Sequence, residues 1–134
     1  MDEKRLAELK EISRKIRVGI IDAVYSASSG HPGGSLSIAD VLTYLYFEKM
    51  NIDPKNPECP DRDRLVLSKG HCAPGLYSAF AHRGYFPVED LKTFRKTSSY
   101  LQGPRYEAHS RRRYVVRFSR TGRVSLVRNG SELP

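Results

Sequence analysis

The composition of the chain changes abruptly after Gly103, and this change limits how much of the sequence can build one core. Residues 104–134 contain eight arginines, no lysine and two acidic residues, whereas basic and acidic side chains nearly balance in residues 1–103. Such an excess of one charge repels itself and opposes compaction of the segment into a core. We therefore predict one globular domain over 1–103, followed by an arginine-rich, disordered tail over 104–134.

The whole composition excludes several classes of protein. Hydrophobic residues make up 39% of the 134 residues, which is enough for a globular core and excludes disorder of the entire chain. No apolar run approaches the roughly 20 residues that a membrane span needs, and the polar start predicts no secretory signal. Two cysteines, Cys59 and Cys72, are too few for a disulfide framework. The sequence therefore predicts a reduced, cytoplasmic protein that has no membrane partner.

Apolar periodicity predicts four helices and one strand within the first domain. Leucine and isoleucine recur at three- and four-residue steps from Leu6 to Ile20, which is typical of one helix face, and Asp2 can cap that helix. A second helix is predicted to begin at Ser37, and the third and fourth cover 74–84 and 88–96. The best strand candidate is the short apolar run at 65–67.

A strand, a small polar turn and a helix start follow one another at 65–74. In open α/β folds such a turn lies at the carboxyl end of the strand, where N–H groups at the helix start favour anions. Lys69 would add a positive charge there, Gly70 would permit close backbone approach, and His71 would add a titratable group. By spacing alone, an ordinary turn with a surface lysine and histidine is the commoner explanation.

Residues 28–34 form a glycine-rich loop around His31. Such a loop can present the imidazole to a ligand while its backbone lines the pocket. It has neither the lysine of a P-loop nor the spacing of a dinucleotide fingerprint, and a plain connection between two helices is the alternative. The cysteines and histidines of the chain lack the paired spacing of a zinc site, so no metal site is predicted among them.

Further motifs accompany the two histidine loops. The first loop reads Ser29–Leu36, the second reads Asp61–His71, and shorter motifs stand at Gly84–Phe86 and Tyr100–Gly103. Together they resemble the amino-terminal part of transketolase, above all the split bacterial and archaeal form in which one chain carries the diphosphate-binding half. The resemblance covers 1–103 almost without gaps.

The resemblance implies an α/β fold of the thiamine-diphosphate-binding type, mostly helical here and with an incomplete parallel sheet. It implies an enzyme that transfers a two-carbon ketol unit between sugar phosphates in the pentose phosphate pathway. The implied cofactors are thiamine diphosphate and a divalent cation, Mg²⁺, whose ligands in the family lie in a downstream segment that is missing here. The implied partners are sugar phosphates, a C-terminal transketolase subunit and the mate of a homodimer. This chain alone is expected to be inactive.

The site residues are carried over from the same resemblance. His31 would contact the oxygens of the donor sugar, and Ser29 and Gly30 would shape the wall of that pocket. His71 would lie against the diphosphate of the cofactor and would help to orient the substrate. The predicted catalytic residues are His31 and His71, the predicted cofactor-binding residues are Lys69, Gly70 and His71, and the predicted substrate-binding residues are Ser29, Gly30 and His31.

The resemblance ends at Gly103, because Pro104 and Arg105 follow where the family has His-Pro. Codons that could encode 104–131, read one base later, permit Met-Ser-Ser-Gly-Ser-Leu-Gly-Gln-Gly, which continues the family's pattern. We therefore hypothesise a frameshift at codons 103–104 that truncates the domain. The alternative is a tail that binds nucleic acid or another polyanion through Arg111–Arg113 and nearby aromatic residues. A regulatory remnant that caps a partner subunit is a third hypothesis.

Overall fold

A long helix, α1, forms the first element of the structure. The computed structural model describes residues 2–57 and 59–102, and the backbone of 124–128 and 131–132. Helix α1 spans Glu3–Ala27, and the Asp2 side chain caps it by accepting a hydrogen bond of 2.7 Å from the backbone N–H of Arg5. It ends at Ser28, whose φ of 48° is left-handed. The predicted first helix and its N-terminal cap, Asp2, are confirmed.

Three further helices and three shorter helical turns follow α1. Helix α2 spans Pro32–Ser37, α3 spans Ala39–Tyr44 and continues into a π-helical turn at Leu45–Lys49, α4 spans Ala73–Arg83, and 3₁₀ turns lie at Gly70–Cys72 and Val88–Thr93. The glycine-rich segment is therefore helical from Pro32 onward, earlier than the predicted start at Ser37. Proline suits the first turn of a helix, because its missing N–H has no partner to lose there. The predicted fourth helix is a 3₁₀ turn.

The sheet differs from the incomplete parallel sheet that the resemblance implies. Strand β1, Arg64–Leu67, pairs antiparallel with β2, Val124–Arg128, and β2 pairs antiparallel with β3, Ser131–Glu132. The register places Leu65 opposite Leu126. The expectation of a parallel sheet is corrected here, since backbone groups of β1 need partners and the valine-rich segment at 124–128 supplies them. Of the predicted tail, residues 104–123, 129–130 and 133–134 lie outside the described residues.

Two hydrophobic clusters lie on either side of α4. The first is centred on α1, α3 and β1, and its largest fully buried members are Ile16, Ile20, Leu42, Leu67 and Leu76. The second joins the end of α1 to the segment after α4, and it includes Ala23, Tyr77, Leu91, Phe94 and Leu101. Helix α1 contributes to both clusters, so it connects the two halves of the core.

Helices α1 and α4 approach each other closely at Gly19. A Cβ atom at Gly19 would lie 2.4 Å from Oγ of Ser78, and this hydroxyl donates a hydrogen bond of 2.8 Å to the carbonyl oxygen of Ile16. The absence of a side chain at Gly19 therefore allows the two backbones to meet. This contact helps to set the relative position of the two histidine loops, because α1 leads into the first loop and α4 begins just after the second.

None of the helices in the described part of the chain has the length and the apolar character that a membrane crossing requires. Four large apolar side chains of α1 nevertheless remain exposed. They are Leu6, Val18, Ile21 and Tyr25. Val18, Ile21 and Tyr25 recur at helical spacing and form an apolar stripe that leads toward the first histidine loop.

Candidate functional site

The two predicted histidines lie next to each other. His31 occupies the position before α2, and His71 lies in the 3₁₀ turn that joins β1 to α4. Their ring centroids are 6.1 Å apart and the ring planes are perpendicular. Both side chains are exposed, so both imidazoles are accessible to a ligand at the same surface. The structure thus brings together two residues that are distant in sequence.

Gly34 allows the first histidine loop to rest directly on the second. A Cβ atom at Gly34 would lie 2.7 Å from Sγ of Cys72 and 3.2 Å from Cδ2 of His71. Real Cβ atoms essentially never come as near to another heavy atom as the first of these distances. A larger residue at this position would therefore push the two loops apart.

A buried hydrogen bond provides a second link between the loops. Oγ of Ser35 accepts from the backbone N–H of Gly75 at 3.2 Å, and Ser35 is fully buried. Ser35 belongs to α2 and Gly75 to the first turn of α4, so a side chain from one helix caps the other. The bond satisfies a donor that would otherwise lack a partner at the start of α4.

The N–H groups at the start of α4 are already engaged within the protein. Those of Cys72 and Ala73 donate to carbonyl oxygens of the preceding turn. Pro74 has no N–H, and the N–H of Gly75 donates to Ser35. This corrects the expectation that the helix start offers its N–H groups to an anion. The positive charge available at this point belongs to the side chain of Lys69.

The turn after β1 contains a buried polar atom without a partner. Oγ of Ser68 is inaccessible to solvent and has no hydrogen-bond partner among the described residues. A buried hydroxyl without a partner costs roughly 1–3 kcal/mol, so the turn has an unused capacity for a hydrogen bond. Ser68 lies directly before Lys69, close in sequence to His71. These residues therefore fit an anionic group such as a diphosphate.

Cys72 is a packing residue rather than a nucleophile. It is fully buried and not part of a disulfide. Burial raises the pKa of its thiol, and the positive charge of Lys69 offsets only part of that rise. The thiol therefore stays protonated near neutral pH.

The described residues contain no group of three or more histidine, cysteine, aspartate or glutamate side chains that could hold a metal ion.

The predicted pocket-wall residues, Ser29 and Gly30, lie between α1 and His31. Gly30 has a φ of 141°, which an L side chain rarely adopts, and a Cβ atom there would lie 3.2 Å from Val24. Oγ of Ser29 accepts a hydrogen bond from Nη1 of Arg95. Local sequence patterns give no sign of Arg95, because none relates two residues that are 66 positions apart.

Comparison with known families assigns these loops to one domain. The chain matches the family described as transketolase, thiamine diphosphate binding domain, over residues 9–112. The match includes both histidine loops and ends beyond the boundary predicted at Gly103. The predicted resemblance to transketolase is therefore confirmed.

Curated relatives are similar over most of this chain but are much longer. The 6-deoxy-6-sulfo-D-fructose transketolase subunit SqwG of Clostridium sp. (strain MSTE9) is 48% identical over 101 residues, which cover 75% of this chain and 36% of that protein. Transketolase 1 of Escherichia coli (strain K12) is 40% identical over 99 residues, which cover 73% of this chain and 15% of that protein. The chain thus spans about a third of the first relative and less of the second.

Solved structures agree with the curated relatives. Transketolase from Leishmania mexicana aligns with a TM-score of 0.68 and 33% identity over 71% of this chain and 14% of its own. Transketolase from Campylobacter jejuni aligns with a TM-score of 0.61 and 42% identity over 69% of this chain and 15% of its own. These structures agree with the family match and with the pairing of the two histidine loops. The chain therefore belongs to the transketolase family, as part of its thiamine diphosphate binding domain.

Proposed function

We propose that this chain supplies the cofactor-binding part of an enzyme that transfers a two-carbon ketol unit between sugar phosphates. The observation that carries the proposal is the packing of His31 against His71 beside Lys69, at the end of β1. This arrangement brings two exposed imidazoles together, and Lys69 directly precedes the turn that carries one of them. The fold that we propose for the whole domain is the α/β fold of thiamine-diphosphate-binding enzymes.

The proposed roles follow from charge and hydrogen-bonding capacity. Lys69, Gly70 and His71 would hold the diphosphate, whose negative charge the lysine ammonium attracts. His31 would donate and accept hydrogen bonds with the hydroxyl groups of the donor sugar, since an imidazole has two nitrogens for that purpose. Ser29 and Gly30 would line the same pocket. When bound, thiamine diphosphate supplies the stabilised carbanion, and the protein supplies binding and orientation.

We propose that a partner chain completes the site. The chain spans 36% of a relative that is itself named a subunit, and the described residues contain no metal-binding cluster. We therefore propose that the ligands of Mg²⁺ and the rest of the site come from further sequence, including a C-terminal transketolase subunit and a homodimer mate. The exposed stripe of Val18, Ile21 and Tyr25 near the first loop supports such an interface. We also propose that the protein is cytoplasmic and that this chain alone is inactive.

The donor sugar is the part of the proposal that depends on the choice of relative. We propose sugar phosphates as the donors for this chain. The name of one relative instead specifies 6-deoxy-6-sulfo-D-fructose. Both kinds of donor carry a terminal anionic group on a ketose. A titration with fructose 6-phosphate and with its sulfo counterpart distinguishes the two, and tighter binding of the sulfo sugar would replace the phosphate assignment.

A binding measurement tests the cofactor assignment. We expect isothermal titration of the full chain with thiamine diphosphate to show binding through the part of the site that this chain carries, and Lys69→Met to weaken it about 10-fold, as loss of a charge-assisted contact does. Lys92→Met is the matched control, because Lys92 is an exposed lysine in the 3₁₀ turn at Val88–Thr93, a separate segment of the chain. Equal affinity of the two variants would contradict the role of Lys69.

We further propose that residues 104–134 arise from a frameshift. Support comes from the arginine-rich, lysine-free composition and from the family pattern that the shifted frame permits. Resequencing the gene across codons 90–140 is expected to show a frame that continues from Gln102 into a histidine and proline. In that case β2 is absent from the natural protein, and β1 pairs with other strands. If the present frame is confirmed instead, the gene itself makes a truncated product, and catalysis by this chain alone is abandoned as a hypothesis.

No comparison supports the alternative of a nucleic-acid-binding tail. The residues on which it depends, Arg111–Arg113 with Tyr114 and Phe118, lie outside the described residues. Salt-sensitive RNA binding that disappears when those three arginines are replaced by serine would revive it.

A further inference from the structure

Arg95 connects two segments that are far apart in sequence. Its Nη1 atom donates a hydrogen bond to Oγ of Ser29, two residues before His31. Its guanidinium carbon also lies 5.2 Å from the centroid of the Phe94 ring. The guanidinium thus joins the first histidine loop to the segment that follows α4.

The backbone of Arg95 is anchored to the second hydrophobic cluster. Its N–H donates to the carbonyl oxygen of Leu101 at 2.8 Å, and Phe94 and Leu101 are both buried in the second hydrophobic cluster. The φ of Arg95 is 62°, a left-handed conformation that is uncommon for a residue other than glycine. Such a conformation persists when the surrounding structure determines it, and here the buried neighbours provide that support.

Few other contacts restrain residues 28–31, the part of the first histidine loop that Arg95 meets. Ser28 and Ser29 close α1 through backbone hydrogen bonds to Tyr25 and Val24, the second of them long at 3.4 Å. Within the described ranges, Arg95 is the one side chain that hydrogen-bonds to residues 28–31. Gly30, between Ser29 and His31, adds backbone freedom. The position of Ser29 therefore strongly influences where His31 lies.

We propose that Arg95 is a positioning residue that holds the His31 loop in place through Ser29. The proposal rests on the proposed function, because it concerns the placement of the imidazole assigned to the donor sugar. Its guanidinium donates to Ser29, two residues before that imidazole. It fixes one end of the loop to the second cluster, so that His31 stays beside His71 when no ligand is present.

The test compares Arg95→Met with Arg95→Lys in the full chain without ligand. Methionine keeps an apolar stem over Phe94 but removes the donor, whereas lysine retains a charged donor. We expect the ¹⁵N order parameters of residues 29–31 to fall from about 0.85 toward 0.6 in Arg95→Met and to stay near the wild-type values in Arg95→Lys. The midpoint of thermal unfolding should be nearly unchanged. Arg14→Met is the control, because Arg14 is an exposed residue of α1 that is paired with Glu11.

A second variant keeps the test decisive if Arg95→Met does not fold. Ser29→Ala removes the acceptor of the same hydrogen bond, and it should loosen residues 29–31 to the same extent. Combining the two substitutions should add nothing further, since both remove one interaction. Order parameters and His31 imidazole signals that remain at wild-type values in both single variants would overturn the proposal.

A ligand titration separates this proposal from the proposed function. We expect fructose 6-phosphate to shift the imidazole signals of His31 in the wild-type chain, with an affinity at least threefold lower in Arg95→Met. Absence of any shift in the wild type would count against the donor-sugar assignment of His31. The order parameters measured without ligand would still decide whether Arg95 holds the loop.

Discussion

Replacing Ile20 with alanine is expected to destabilise the chain by about 2–5 kcal/mol, as is typical for a large aliphatic side chain removed from a core. Ile20 is completely buried in the cluster that joins α1 to α4 and β1. The lost methyl groups leave a cavity that the neighbouring side chains fill only in part. Urea unfolding followed by far-ultraviolet circular dichroism measures the change.

Ile21 provides the matched control for this prediction. It is the next residue on the same helix, and 48% of its surface is exposed. Ile21→Ala should change the free energy of unfolding by no more than about 0.5 kcal/mol, as surface substitutions generally do. Equal losses in the two variants would show that α1 does not bury the face described here.

Replacing Gly34 with alanine is expected to cost about 1–3 kcal/mol, the usual range for overpacking a buried contact. The new Cβ would lie 2.7 Å from Sγ of Cys72 and 3.2 Å from the ring of His71, so the loops must separate. The imidazole signals of both His31 and His71 should therefore shift, because their mutual placement depends on this contact. Denaturant unfolding and ¹H–¹³C correlation spectra measure the two effects.

A double variant tests whether the contact with Cys72 causes the loss at Gly34. Cys72→Ala removes Sγ, the nearest atom, so Gly34→Ala should cost less in that background, with a coupling energy of roughly 0.5–3 kcal/mol. Gly33→Ala is the control, because a Cβ at Gly33 meets nothing within 4 Å. Additive losses, or an equal loss at Gly33, would contradict the packing that is described for the two loops.

Local sequence patterns predicted most of the helical elements correctly. The apolar spacing from Leu6 to Ile20, the Asp2 cap and the end of α4 at Gly84 all agree with the structure. These features depend on residues within one or two helical turns of each other, so the sequence contains the necessary information. The strand at 65–67 is also present, and the structure extends it by one residue to Arg64.

Strand pairing was not predictable in the same way. The resemblance implied parallel neighbours for β1, whereas the structure pairs it antiparallel with Val124–Arg128. A strand contains both a donor and an acceptor at each residue, and local sequence does not specify which segment will satisfy them. The earlier start of α2 at Pro32 has a similar origin, because Ser35 becomes buried against α4.

Neighbours along the chain specify the helix faces, the caps and the motifs that carry His31, Lys69 and His71, so the sequence alone was enough to find them. Tertiary structure alone decided that the two histidine loops touch. That contact depends on Gly34 against Cys72 and on Ser35 bonded to Gly75, which lies 40 positions away. Tertiary structure also decided that Arg95 bonds to Ser29. Such contacts form only when buried helices bring distant backbones together, and no local pattern specifies them.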